Sequence, residues 1–270
     1  MQGLSDATLL ASWETVLEVQ TRILGPQELK WLTIKGAFEG NVLEVGSGNG
    51  CYGSFLAESV PTCNIFGLEA NQHLVELFSA RSKNFPANYK VEKCRVGVDA
   101  MPESVRGGIV TSLLRFILQH SSDPVRVLKH VYDVLPPGGR VYIVEEDDRL
   151  FMSNSNWRSF NQTIDIWKRV CAAGGTNSKI GLDLPNIVNS AGFSIEDYTL
   201  LLRNNVEMGD SFIELFSSIA IMMCHTNPAL IAKGELQQIL DQFAASREHH
   251  ATRHVATYPQ VLLVATKPMS

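Results

Sequence analysis

The sequence predicts an α/β fold: a doubly wound, mostly parallel sheet of seven strands with an antiparallel edge strand and a helical cap. Three observations carry that expectation. From residue 41 to residue 148, short apolar runs alternate with segments of helical periodicity, the rhythm of parallel strands joined by crossover helices. A glycine-rich turn, Gly46-Ser-Gly-Asn-Gly50, links the first apolar run to the first helix of the series. Beyond Asp148 the rhythm stops, and two late strand-like runs, "SIEDYTLLLRNN" and "YPQVLLVATKP", are separated by helical sequence, which points to antiparallel pairing at one edge.

Each element follows from local pattern. Leu9, Leu10, Trp13, Val16, Leu17, Ile23 and Leu24 fall at helical spacing, and Gly25-Pro26 predicts a break before a second short helix from Gln27 to about Lys35. "NVLEVG" is a short buried strand, "GSFLAESV" a helix stopped by Pro61, "NIFGLEAN" a second strand and "QHLVELFSARSKNF" its helix. "YKVEKCRVG" and "GGIVTSLLRFIL" give strands three and four, "DPVRVLKHVYDVL" a helix, "PPGG" a turn and "RVYIVEED" strand five. Trp157, Phe160, Ile164, Trp167 and Val170 form an apolar helical face, "LDLPNIVNSAGF" is a helix with a glycine stop, and residues 210–250 are helical in pattern. The expected organisation is an N-terminal helical segment over 1–36, a core over 37–204, a helical insertion over 205–256 that folds over the carboxyl edge of the sheet, and a final core strand within 257–270.

Composition narrows the function classes. The 270 residues are 45% hydrophobic and 19% charged, which suits an ordinary globular chain with a full core. A net charge of −5 and the lack of any Lys/Arg run argue against nucleic acid as a partner. The apolar stretch near Ile219–Cys224 is far too short to span a bilayer, so no membrane partner is expected. Five scattered cysteines without a C-x-x-C pair fit reduced thiols and a cytoplasmic location, and no secretory leader pattern opens the sequence. A small-molecule substrate is the expected partner, and a homodimer is compatible with the chain.

The glycine turn admits two parses. Gly48-Asn-Gly-Cys-Tyr-Gly53 matches the G-x-G-x-x-G dinucleotide pattern, but Gly46 and Ser47 intervene between the strand and its first glycine. Glu44-Val-Gly-Ser-Gly-Asn-Gly50 has an acidic-x-Gly-x-Gly-x-Gly form, and it gives the buried Glu44 a purpose that a dinucleotide site leaves unexplained. A carboxylate at the end of strand two, Glu69, suits ribose hydroxyls in either case. "VLEVGSGNG", "GLEAN", "VDAMPE", "LLRFILQHSSDPVRVLKHVYDVLPPGGRVYIVEED" and "GLDLPNIVNSAGF", in that order, resemble the class I S-adenosylmethionine-dependent methyltransferases, in the branch of quinone and natural-product enzymes. The resemblance covers roughly residues 40–200 and the last strand, and it implies a Rossmann-like sheet and S-adenosyl-L-methionine as cofactor.

That resemblance also implies roles. Gly46, Gly48 and Gly50 form the loop under the methionine part of the cofactor, with Glu44 beneath it. Glu69, with Ala70 beside it, holds the ribose, and Asp99 with the Ala100 backbone meets the adenine. Leu114 and Arg115 line the methionine end, where Arg115 is a bulky charge at a position usually occupied by smaller residues. The hydroxyl of Tyr52 reaches towards the cofactor carboxylate, and Gln20 sits on a helix that covers the cofactor.

Catalytic and substrate candidates are weighed against plainer roles. His120 in "LQHSSD" is a general base or a local loop partner. Of the carboxylates Glu145 to Asp148, Asp147 and Asp148 are expected to be solvated, with Glu146 or Glu145 facing the pocket. Trp13, Phe151 and Trp157 are candidates for a planar or apolar substrate, or else cap core; His250 in "EHHATRH" is a substrate contact or part of a polar helix face. No metal is expected, because Arg115 stands where a catechol-type magnesium site needs an acid. The reading is methyl transfer to a small aromatic or apolar molecule by in-line displacement, driven by proximity and orientation. The alternatives are a non-methylating cyclisation or rearrangement on the same cofactor fold, an NAD-dependent oxidoreductase, and a non-catalytic cofactor-binding scaffold.

Overall fold

The computed structural model describes residues 7–154, 157–247 and 254–269. Its centre is one seven-stranded sheet. Five parallel strands come first: β1 (Asn41–Val45), β2 (Ile65–Glu69), β3 (Tyr89–Lys93), β4 (Ile109–Arg115) and β5 (Arg140–Glu145). β6 (Ser194–Asn204) and β7 (Thr257–Thr266) complete the order β3-β2-β1-β4-β5-β7-β6, with β7 antiparallel to both of its neighbours. The chain winds outward from β1 to β3 and then crosses back to β4. The switch point between β1 and β4 opens a crevice at their carboxyl ends, where ligands of such sheets bind.

Helices cover both faces because successive strand residues point to opposite sides and both sides are apolar. On one face Leu43, Val45, Leu114 and Ile143 pack on Val127, Leu128 and Val131 of α4 (Pro124–Val134) and Leu184 and Val188 of α6 (Ile180–Ser190). On the other, Val42, Ile65, Leu113 and Tyr142 meet Leu32 of α1 (Ala7–Ile34) and Leu56 of α2 (Cys51–Ser59). Capping sets where the helices start. Asn71 accepts from the His73 amide at the head of α3 (Gln72–Arg81), and Asp123 accepts from the Arg126 amide at α4, where Pro124 has no N–H that needs an acceptor.

A third apolar cluster forms the cap. α5 (Arg158–Gly174), α8 (Asp210–Thr226) and α9 (Glu235–Ser246) pack with the first half of α1 around Phe160, Phe212, Phe216 and Tyr258. A single-turn helix, α7 (Asn205–Met208), leads from β6 into α8.

α1 corrects the break expected at Gly25-Pro26, since it runs unbroken through Pro26. Tertiary contacts override the local signal. Leu24 and Leu32 on either side are fully buried, and Gly25 lies against the Phe55 ring. Arg203 of β6 donates to the Ile23 carbonyl at 3.1 Å, in the turn where proline removes a donor from the helical ladder.

Candidate functional site

The crevice is built on the turn after β1. Gly46 holds φ at +76°, a conformation L side chains rarely adopt, and a Cβ there would strike the Ile117 side chain. The amides of Gly46 and Ser47 both donate to the Leu68 carbonyl at 2.7 and 3.1 Å, which ties the turn to the end of β2. Glu69 completes the tie: Oε2 accepts from the Gly48 amide at 2.9 Å and Oε1 from the Asn71 amide at 2.8 Å. Burial raises the pKa of Glu69, and these amide bonds oppose the rise.

Beneath the turn, Glu44 is buried and accepts from the Tyr89 hydroxyl at 2.7 Å. Gly53, inside α2, lies so close that a Cβ would meet both Tyr89 and the Glu44 carboxylate. The third glycine of the dinucleotide pattern is thus spent on close packing over this pair. Burial lifts Glu44 to a pKa of about 7, against the Tyr89 hydrogen bond.

The crevice widens into a cavity of about 1060 Å³ reaching from the glycine turn to the aromatic cap. Of the residues singled out in the sequence, Trp13, Gln20, Glu44, Gly46, Gly48, Tyr52, Glu69, Ala70, Arg115, His120, Glu146 and Phe151 line it. Gly50 stands behind the turn, where a Cβ would press on Phe78 at 2.5 Å. His250 lies outside the described residues.

Three placements are corrected. Asp99 is exposed and closes a turn by accepting from the Arg95 amide at 2.7 Å, while Ala100 borders a shallow groove with Arg106 and His130. β3 ends at Lys93, and the residues that reach the cavity there are Cys94, Arg95, Val96 and Val98. Leu114 is fully buried in the sheet core, because strand alternation sends Arg115 to the crevice and Leu114 the other way. Of the two roles expected for Trp157, the structure has it as cap core: it is fully buried, stacked on Phe160, Phe212 and His254 with ring centroids 5.8, 5.4 and 5.3 Å away. Asp147 and Asp148 are buried rather than solvated. Arg149 and the Leu182 amide hold Asp147, and the Ser178 hydroxyl donates to Asp148 at 2.7 Å.

Arg115 is committed inside the protein. Its Nε sits 2.7 Å from Oε2 of the fully buried Glu28 on α1, and its guanidinium lies over the Tyr52 ring at 4.3 Å and the Phe116 ring at 4.5 Å. Gln260 of β7 donates to the same Glu28 at 2.6 Å. Sequence reasoning missed Glu28 because its partner is 87 residues away. Phe116 has φ of +54°, the one non-glycine residue with positive φ among those described, and it lies at the end of β4 on the cavity wall.

Beside Arg115, Glu146 accepts a hydrogen bond from the Tyr258 hydroxyl, and burial lifts its pKa to about 7. Glu145 points away. Its Oε1 accepts from the Leu118 amide at 2.6 Å, and burial takes its pKa to about 8. His120 is exposed to the cavity yet hemmed in by protein, which lowers its pKa and favours the neutral imidazole; Thr176 Oγ1 is 3.4 Å from its Nδ1.

Polar atoms in the wall suit a polar ligand. Asn49 Nδ2 and Gln119 Oε1, both on cavity residues, are buried without a hydrogen-bond partner among the described residues. Neither residue carries a sequence signal, since each acts through its place beside the turn or the end of β4. The far wall is apolar: Ile164 and Trp167 of α5 and Phe216, Ile219 and Met222 of α8. Among the described residues no group of three metal-capable side chains gathers, and no helix is long and apolar enough to cross a membrane.

Comparison with known proteins agrees with this geometry. A family model described as a methyltransferase domain matches residues 39–192, more than half of the chain. Demethylmenaquinone methyltransferase of Lactococcus lactis subsp. lactis (strain IL1403) is 29% identical over 106 residues, 39% of this chain and 41% of that protein. The matched segments span less than half the length of the curated relatives. Among solved structures, the BH2331 protein of Bacillus halodurans C-125 aligns over 90% of this chain and 99% of its own, with TM-score 0.59 and 16% identity. The [4+2]-cyclase SpnF aligns over 90% and 81%, with TM-score 0.55 and 17% identity. At such identities these structures establish the fold alone.

Proposed function

The chain belongs to the methyltransferase domain family, and we propose that it transfers a methyl group from S-adenosyl-L-methionine to a small, predominantly apolar or aromatic molecule. The observation that carries this reading is the single cavity joining a glycine turn pinned by Glu69 to an aromatic cap. Its volume of about 1060 Å³ suits a nucleoside cofactor and a small acceptor side by side.

When bound, the cofactor supplies a methyl group on a sulfonium for in-line displacement. The chain's own residues bind, orient and dry the site. The Gly46, Ser47 and Gly48 amides hold the turn against the Leu68 carbonyl and Glu69, and the Glu69 carboxylate, with lone pairs beyond its two amide bonds, suits the ribose hydroxyls. Asn49 Nδ2 and Gln119 Oε1 offer a donor and an acceptor that the protein leaves unused. α1, α5 and α8 close the cavity from above and exclude water around the acceptor. Held in that geometry, the transfer gains on the order of 7–11 kcal/mol from orientation alone.

Calorimetric titration with S-adenosylhomocysteine tests the reading, with NADH as the control. The expected outcome is micromolar affinity, about −8 kcal/mol, with no NADH binding. Glu69→Ala should weaken it about 10- to 100-fold, the range for a hydrogen bond to a charged group. Binding of NADH alone overturns the reading and restores the dinucleotide parse. A product that carries a new methyl group separates methyl transfer from cyclisation or rearrangement on the same fold.

A further inference from the structure

Glu146 stands apart from the other buried carboxylates. Glu44 and Glu69 serve the glycine turn, Glu28 is taken by Arg115 and Gln260, and Glu145 braces the Leu118 amide. Glu146 also lines the cavity, but on the acceptor side. It follows β5, two strands from β1, which at a strand spacing of about 4.8 Å puts it about 10 Å from the turn. Its Oε1 is held by the Tyr258 hydroxyl, and Oε2 has no hydrogen-bond partner among the described residues. Tyr258 is itself wedged against two aromatic residues of the cavity wall, with ring centroids 5.8 Å from Phe151 and 6.1 Å from Phe216. A carboxylate with one oxygen fixed and the other unbonded, set against an aromatic wall, is placed to meet a proton-bearing atom on a flat apolar ligand.

We propose that the methyl acceptor is an aromatic hydroxyl compound and that Glu146 Oε2 receives the hydroxyl proton, with Tyr258 fixing the carboxylate. This rests on the methyl-transfer reading. In the step, the acceptor oxygen forms its bond to the methyl carbon with its own electron pair, the sulfur–methyl bond breaks, and sulfur keeps that pair as a neutral thioether. The O–H bond breaks towards Glu146, whose proton is later returned to water. An amine has a free lone pair once neutral and needs no base during transfer, whereas a phenol is a weak nucleophile until its proton leaves; a positioned carboxylate is what the hydroxyl requires. The groups that set the charge state of Glu146 are Tyr258 on β7, Arg115 on β4, Glu28 on α1, Glu145 beside it and Cys171 on α5. Burial is the largest influence and moves Glu146 to about 7, closer to a phenol than an ordinary carboxylate.

Two probes of nearly equal shape test this: 2-naphthol and 2-methoxynaphthalene, titrated by fluorescence against the full chain with and without S-adenosylhomocysteine. The wild type should bind the naphthol about tenfold more tightly than its methyl ether. In Glu146→Gln the amide oxygen must turn to Tyr258, which presents an NH₂ donor to the cavity, so the preference should vanish or reverse. His120→Ala, the other ionisable candidate on the cavity wall, should keep it. Equal binding of both probes by the wild type, binding of neither, or a preference that survives Glu146→Gln overturns the proposal. S-adenosylhomocysteine affinity in Glu146→Gln reports folding and the cofactor site separately. Its absence in the wild type would sink the methyl-transfer reading itself, while normal affinity with no naphthol preference would sink only the role of Glu146.

Discussion

Gly46 carries the site at the smallest scale. Its positive φ turns the chain out of β1, and the lack of a Cβ lets Ile117 close over it. Gly46→Ala therefore pays twice, about 1–2 kcal/mol for the left-handed backbone and a further collision with Ile117. Thermal denaturation should show a drop of a few degrees, while affinity for S-adenosylhomocysteine should fall more steeply, because the displaced amides hold the turn and Glu69 in place. Gly46→Ala/Ile117→Ala should recover part of the affinity by removing the collision and leaving only the backbone term. No recovery would mean that the turn fails through conformation alone. Phe116 poses the converse case, a bulky residue held at positive φ on the same wall. Strain of about 1–3 kcal/mol at such a position is tolerated only where surrounding contacts over-determine it, here the Val144 carbonyl, which accepts from its amide at 2.8 Å, and the Arg115 guanidinium over its ring.

At the scale of elements, the cover over the crevice is tied to the sheet by charge. Glu28 on α1 and Arg115 on β4 are both buried, and Gln260 on β7 adds a third point. Removing one partner strands a buried charge. Glu28→Leu or Arg115→Leu alone should cost about 3–5 kcal/mol in urea unfolding. The double variant should recover most of that loss, because an apolar pair of similar volume replaces a pair whose desolvation consumed much of its attraction. Additive losses in the double variant would show that the pair is worth its full Coulombic attraction. This tie also shows what the sequence could disclose. Most parallel strands were legible because they are short apolar runs bounded by turns, and the glycine turn and Glu69 were legible because local sequence carries them. The continuity of α1 was not, since the contacts that carry it past Pro26 come from Phe55 and Arg203. Asp99 was misplaced because the motif fixed its type, while the end of β3 at Lys93 decided which residues reach the cavity. Glu28, Asn49 and Gln119 depend on pairings and orphaned atoms visible only once distant segments meet.

Across the whole molecule, the site imposes a charge imbalance on the fold. Glu44, Glu145 and Glu146 are buried near the carboxyl edge of the sheet, and burial, the largest cause in each case, raises them to about 7, 8 and 7. In the unfolded chain such groups titrate near 4.3. Between those values the native state keeps protons that the unfolded state has released, so stability falls as pH rises through the window. Asp147 works in the other direction. Burial opposes its ionisation, but Arg149 and the Leu182 amide outweigh it and hold its pKa low, so its contribution is lost only on acidification. The unliganded protein should therefore be most stable at mildly acidic pH, and its urea midpoint should decline between about pH 5 and pH 8. Glu145→Gln removes the most strongly shifted group while keeping an acceptor for the Leu118 amide, so it should flatten that decline most at its alkaline end. A midpoint that rises steadily from pH 5 to pH 8 would mean that these carboxylates are ionised in the folded protein. In that case Glu146 would be a weaker base than its burial implies, with a pKa further below that of a phenol, and proton transfer to it would be less favourable.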